Sequence, residues 1–208
     1  NGNSLNTTEL FDPTTGPSSS GPALATGRFG HAVFFSGNGA SVVMAGGLNT
    51  VPTPTALNTV EIYDVAANTI TSASNMVNNV YFGTGVGTRG KGVGSGFSVS
   101  STSQILTHGL QTFDSTAVSW SDVNWIPTTL PKWSNAGVVV TDSGNIYIAG
   151  GTDEFKVNQQ HYVFRYGVAA ASLTRFGLDL QSQKSSMTAT LLASKNLMFI
   201  GGYDGNKA

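Results

Sequence analysis

Val42-Val43-Met44-Ala45-Gly46-Gly47, an apolar run closed by two glycines, returns as Ile146-Tyr147-Ile148-Ala149-Gly150-Gly151 and again as Leu197-Met198-Phe199-Ile200-Gly201-Gly202. A second marker places a turn residue after an aromatic: Glu9-Leu10-Phe11-Asp12, Glu61-Ile62-Tyr63-Asp64, Gln111-Thr112-Phe113-Asp114 and Phe164-Arg165-Tyr166-Gly167. A third is a cation ahead of each unit, at Arg28, Lys132 and Lys184, with Val80 standing at the remaining copy. The three markers agree on one period of about 52 residues. The glycine pair is skipped once, at Val93-Gly94-Ser95-Gly96, which identifies a degenerate copy.

Inside each period the pattern is that of short strands. Runs of Val, Ile, Phe and Tyr alternate with Gly, Asn, Asp and Ser, and no sustained helical spacing interrupts them. In one unit, His31 to Phe35 reads as a first strand, Ser36-Gly37-Asn38-Gly39 as a tight hairpin, and Ser41 to Ala45 as a second strand ending at the glycines. Thr59 to Tyr63 and Ile70 to Ser72 follow as third and fourth strands. Asn and Gly suit the hairpin because primed turns need positive φ. Four-stranded units at this period are the signature of propeller blades.

Composition narrows the classes further. The chain has 208 residues, 26 glycines and no cysteine, so a disulfide scaffold, a Cys-ligated zinc site and a catalytic thiol are excluded. Ten Lys and Arg against 11 Asp and Glu leave a net charge of -1, which offers no electrostatic footprint for nucleic acid or an anionic membrane. No run approaches the roughly 18 apolar residues of a membrane helix. Charged residues make up 10% of the chain, less than half of the roughly 25% usual in soluble proteins. With Asn6-Thr7-Thr8 as an acceptor sequon for glycosylation at Asn6, this neutral surface points to an extracellular or cell-surface protein.

These residues resemble kelch repeats. The likeness lies in the glycine pair after an apolar strand, the aromatic-Asp step, and a bulky apolar residue six positions on. Phe113-Asp114-Ser115-Thr116-Ala117-Val118-Ser119-Trp120 is the fullest copy, while Ser18 departs from the pattern in the first. Arg28-Phe29-Gly30-His31 resembles the kelch basic-to-His step. The resemblance spans residues 1–208 as a single domain, with repeat markers at Asp12, Asp64, Asp114 and Gly167. It implies an all-β, kelch-like β-propeller of four blades, each of four antiparallel strands. The spacing across the joined ends nearly matches the internal spacing, so the N- and C-terminal segments are expected to share a blade and close the ring. The alternatives are that these four repeats are part of a larger propeller, or that additional blades come from another chain.

In such a meander the long loops between second and third strands share an end with the crossings between blades. That face gathers Arg28, Lys132, Trp133, Lys184, Asp153, Glu154, Lys156, Tyr203, Asp204 and Asn206 as candidate ligand- or partner-binding residues. Their alternative is simple connection. Asp153, Glu154, Asp204 and Asn206 carry oxygen ligands, but their spacing matches no known calcium loop, and no metal or cofactor is expected. His31, His108 and His161 form no short-spaced metal pair. Galactose and glyoxal oxidases resemble this scaffold, yet their Tyr-Cys crosslink needs a cysteine that this chain lacks. The leading expectation is therefore a non-enzymatic binding module that recognises a protein or a glycan. A structural subunit of an extracellular assembly, including a homo-oligomer, is the second, and a carbohydrate-active enzyme built on convergent carboxylates is the third.

Overall fold

The computed structural model describes residues 3–36, 39–50, 54–88, 91–99, 106–114, 117–122, 135–152, 160–167, 170 and 172–205. All their regular structure is β. In chain order the strands are β1 (Glu9–Phe11), β2 (Ser18–Ser20), β3 (Ala32–Phe35), β4 (Ser41–Ala45), β5 (Leu48–Asn49), β6 (Thr55–Ala56), β7 (Val60–Asp64), β8 (Thr69–Ala73) and β9 (Asn79–Thr88). They continue as β10 (Lys91–Val99), β11 (Leu106–Asp114), β12 (Ser119–Asp122), β13 (Gly137–Val140), β14 (Asn145–Ala149), β15 (Val163–Gly167), β16 (Ser172–Arg175), β17 (Thr188–Leu191) and β18 (Leu197–Ile200).

Three four-stranded antiparallel sheets, β3-β4-β7-β8, β9-β10-β11-β12 and β13-β14-β15-β16, each follow chain order as a meander, as the repeat predicts. The degenerate copy forms a full sheet too, with long strands and a register shift between Ser95 and Phe97. The first strands stand side by side in series, β3 against β9, β9 against β13, and β13 against β17. The aromatic-Asp marker closes the turn between third and fourth strands. The Asp64 carboxylate accepts the Ala67 amide at 2.8 Å and that of Asp114 accepts the Ala117 amide at 3.2 Å. At the outset of the chain Asp12 accepts the Thr14 amide at 2.8 Å in the same role.

The core lies between sheets. Phe34, Val43, Val60, Phe113 and Trp120 form one cluster across the first and second sheets, with Phe113 and Trp120 rings 5.2 Å apart and both edge-on to Phe34. Trp120 and Phe113 are thus inter-sheet fillers, the role their spacing implies. Ile146, Ile148, Phe164 and Tyr166 form a second cluster on the third sheet.

The expected shared blade is not formed. β1-β2 and β17-β18 are two separate two-stranded sheets, and no described strand pairs with the outer edge of either β1 or β18. Matched spacing of the ends along the chain sets their phase, not their distance in space.

Candidate functional site

The loop end of the sheets is built by one repeated device. After the second strand, the amide of the second glycine reaches across to the next unit: Gly47 donates to the Val80 carbonyl at 2.6 Å and Gly151 to the Lys184 carbonyl at 2.7 Å. The loop then returns, with the Leu57 amide donating to the Gly47 carbonyl at 2.9 Å and that of Gln160 to the Gly151 carbonyl at 2.7 Å. Short bridges, Phe29 with Leu48 and Ser185 with Tyr203, tie each crossing to the root of its own loop. Crossings and long loops therefore share one end, as the meander requires.

Arg28, expected there as a ligand-binding cation, is instead buried. Its guanidinium donates to the carbonyls of Gly46 (2.7 Å) and Thr59 (3.0 Å) and to the Thr59 hydroxyl (3.1 Å), and pairs with the Glu61 carboxylate at 2.6 Å. That carboxylate also accepts the Ala25 and Thr26 amides at 2.7 and 3.3 Å. Arg28 fastens the crossing to the first sheet, because four acceptors converge on its guanidinium where the chain passes between units. In the second sheet Gln111 holds the Glu61 position, accepting the Val77 and Asn78 amides at 2.8 and 3.3 Å, and Val80 holds the Arg28 position. Charge is lost there from both partners together.

Lys184 is half-buried, and among the described residues its ammonium has no partner. Tyr203 is exposed at the edge of the bridge, its hydroxyl donating to the Gly205 carbonyl at 3.0 Å, and Asp204 follows it. Lys132, Trp133, Asp153, Glu154, Lys156 and Asn206 lie outside the described residues. Asn6 is exposed, and its side-chain amide donates to the Leu24 carbonyl at 3.3 Å, as that of Asn58 does to the Met76 carbonyl at the same distance. The sequon asparagine is thus also a repeat position that ties a loop to its crossing.

A cluster that sequence reading missed occupies the loop end of the third sheet. Asp179 pairs with Arg175 at 2.5 Å and lies 3.6 Å from the His161 imidazole. The Arg175 guanidinium sits 4.3 Å above the centre of the Tyr162 ring, which itself stacks tilted against His161 at 4.6 Å. Backbone bonds hold the platform in place: Gly150 donates to the Tyr162 carbonyl at 3.0 Å and Leu180 to the His161 carbonyl at 2.8 Å. An exposed guanidinium over an aromatic face contributes about 0.5–1 kcal/mol. The group is thus a preorganised but wet set of donors and acceptors beside an aromatic ring. It adjoins the loop that leaves at Thr152 and returns at Gln160. No short motif announces it, since its members come from the start of β15, the end of β16 and the crossing beyond.

His31 is the titrating group inside the first junction. Burial, and then the neighbouring Arg28 charge, hold its pKa below the usual imidazole value. Its Nδ1 is buried without a hydrogen-bond partner among the described residues. A depressed pKa means the folded state resists protonation, so stability is full above the unfolded value of about 6.5 and falls as pH drops below it. His31→Phe is expected to flatten urea midpoints between pH 7 and pH 5; an unchanged slope would show that His31 does not carry the effect.

No family model matches the chain, and no curated protein matches it. Among solved structures the fold is similar to one described as "Structure of YjhT", with a TM-score of 0.73 over 96% of this chain and 73% of that chain, at 14% identity. At that identity the likeness is one of fold. The architecture of this chain is all-β, with antiparallel meander sheets stacked in series.

Proposed function

We propose that the chain is a kelch-like β-propeller module, non-enzymatic and extracellular, that recognises a glycan or a protein through the loop end of its sheets. The observation that carries the reading is the Tyr162, Arg175, Asp179 and His161 group at that end. A guanidinium, a carboxylate and an imidazole beside an aromatic face match vicinal hydroxyls and the apolar face of a sugar ring.

Asp179→Ala is expected to abolish binding on a glycan array while shifting the urea midpoint little, because exposed ion pairs contribute only about 0–1 kcal/mol. Unchanged array binding in that variant would remove this site from the proposal.

A further inference from the structure

Arg175 and Asp179 stand on either side of a reversal that the backbone holds in place. The Phe176 amide donates to the Val163 carbonyl at 2.9 Å and the Leu180 amide to the His161 carbonyl at 2.8 Å, so both limbs are tied to the start of β15 and the residues before it. Between them Gly177 takes φ +83°, a left-handed conformation with open space beside it. The Asp179 carboxylate is thereby returned to the guanidinium four residues back, at 2.5 Å.

The pair is left open on one side of each member. Asp179 commits its Oδ2 to Arg175, and the same oxygen faces the His161 Nε2 at 3.6 Å. Its Oδ1, and the Nε and Nη1 of Arg175, have no hydrogen-bond partner among the described residues. The two side chains are 45% and 23% exposed for Arg175 and Asp179, so a ligand can reach them. Tyr162 packs against the core of the third sheet and is capped by Arg175. The described residues thus offer a shallow polar platform rather than the apolar pocket that anchors a protein partner.

An ionised carboxylate only accepts hydrogen bonds and a guanidinium only donates them. A ligand that bridges the two must donate to one and accept from the other through neighbouring atoms, without net charge of its own. Two adjacent sugar hydroxyls do this, because each O–H is donor and acceptor at once. A sugar carboxylate satisfies the guanidinium alone and sets its lone pairs against Asp179, and a sugar ammonium is repelled by Arg175 in the same way.

We propose that this platform takes a neutral sugar through a pair of vicinal hydroxyls, and that Asp179 is the specificity-determining residue that keeps acidic sugars off Arg175. This rests on the loop-end reading above and names its ligand class. A guanidinium without its carboxylate is itself an anion site, planar and aligned for a bidentate carboxylate. Stacking on Tyr162 holds it in position when its partner is changed.

The test titrates the full chain with methyl galactoside, methyl mannoside and methyl glucoside, each beside its uronate and a monodeoxy form that breaks the hydroxyl pair. At least one neutral glycoside is expected to bind, its deoxy form about 10-fold more weakly and its uronate about 5-fold or more. Asp179→Asn keeps the shape, replaces a lone pair by an N–H donor and frees Arg175. It is expected to weaken the neutral glycoside by about 10-fold while strengthening the uronate, so that their order inverts. Because the ion pair is exposed, the urea midpoint should stay close to that of the parent chain.

A uronate that binds as tightly as its neutral parent overturns the proposal, and so does a panel in which no neutral glycoside binds. Equal loss of both ligands in Asp179→Asn would make Asp179 a structural residue and overturns its role in specificity. Failure of the wider reading looks different. Array binding to acidic glycans that Asp179→Ala abolishes would overturn the ligand class and leave the loop-end site standing, whereas silence from both the array and the panel overturns both.

Discussion

Arg28→Val is expected to lower stability by about 3–5 kcal/mol, the usual result of removing one member of a buried ion pair and leaving the other unpaired. Glu61 would remain as a carboxylate almost sealed from water, with only the Ala25 and Thr26 amides to hold it. The Gly46 carbonyl loses its donor in the same step, and the Thr59 carbonyl keeps only the Gly46 amide. The second sheet indicates how the loss is relieved. Its junction runs on Val80 and Gln111, an uncharged pair in which the amide oxygen still accepts two crossing amides. Arg28→Val with Glu61→Gln transplants that pair, and is expected to recover about half or more of the loss, a coupling between neighbours that a double-mutant cycle in urea reads directly. Additive losses would mean that the two junctions are not equivalent.

Gly150→Ala is expected to cost about 2–5 kcal/mol, from left-handed backbone strain and a steric clash together. Its φ is +64°, and a Cβ there would run into the Lys184 carbonyl oxygen and the Met187 methyl group. Gly201 has nearly the same φ, +67°, but open space beside it. Gly201→Ala should therefore cost only the backbone share, about 1–2 kcal/mol. The difference between two chemically identical changes isolates the contribution of a neighbouring unit. Equal thermal shifts for the two variants in dilute solution would contradict the open space at Gly201.

Much of this was legible before any coordinate. Two glycines after an apolar run, an aromatic-Asp turn and a cation at one period predicted meander sheets, because strand alternation and positive-φ turns are local properties written in neighbouring residues. Even the copy without a glycine pair forms a four-stranded sheet. The site was read less well. The position of Arg28 at a crossing points to a binding face, and nothing in the sequence near it reveals that Glu61, 33 residues on in β7, neutralises and buries it. The cluster of His161, Tyr162, Arg175 and Asp179 had no signal, since its members meet only when β15 and β16 pair.

The amino-acid sequence alone determined the repeat, its strands and the residues that fill the space between sheets, since each depends on side-chain alternation and backbone freedom over a few positions. Only the tertiary structure decided which cation is buried, which polar groups converge, and that the first and last hairpins form separate two-stranded sheets. Those outcomes turn on contacts between residues distant in the chain, such as Arg28 with Glu61 and Arg175 with Tyr162, which local sequence does not encode.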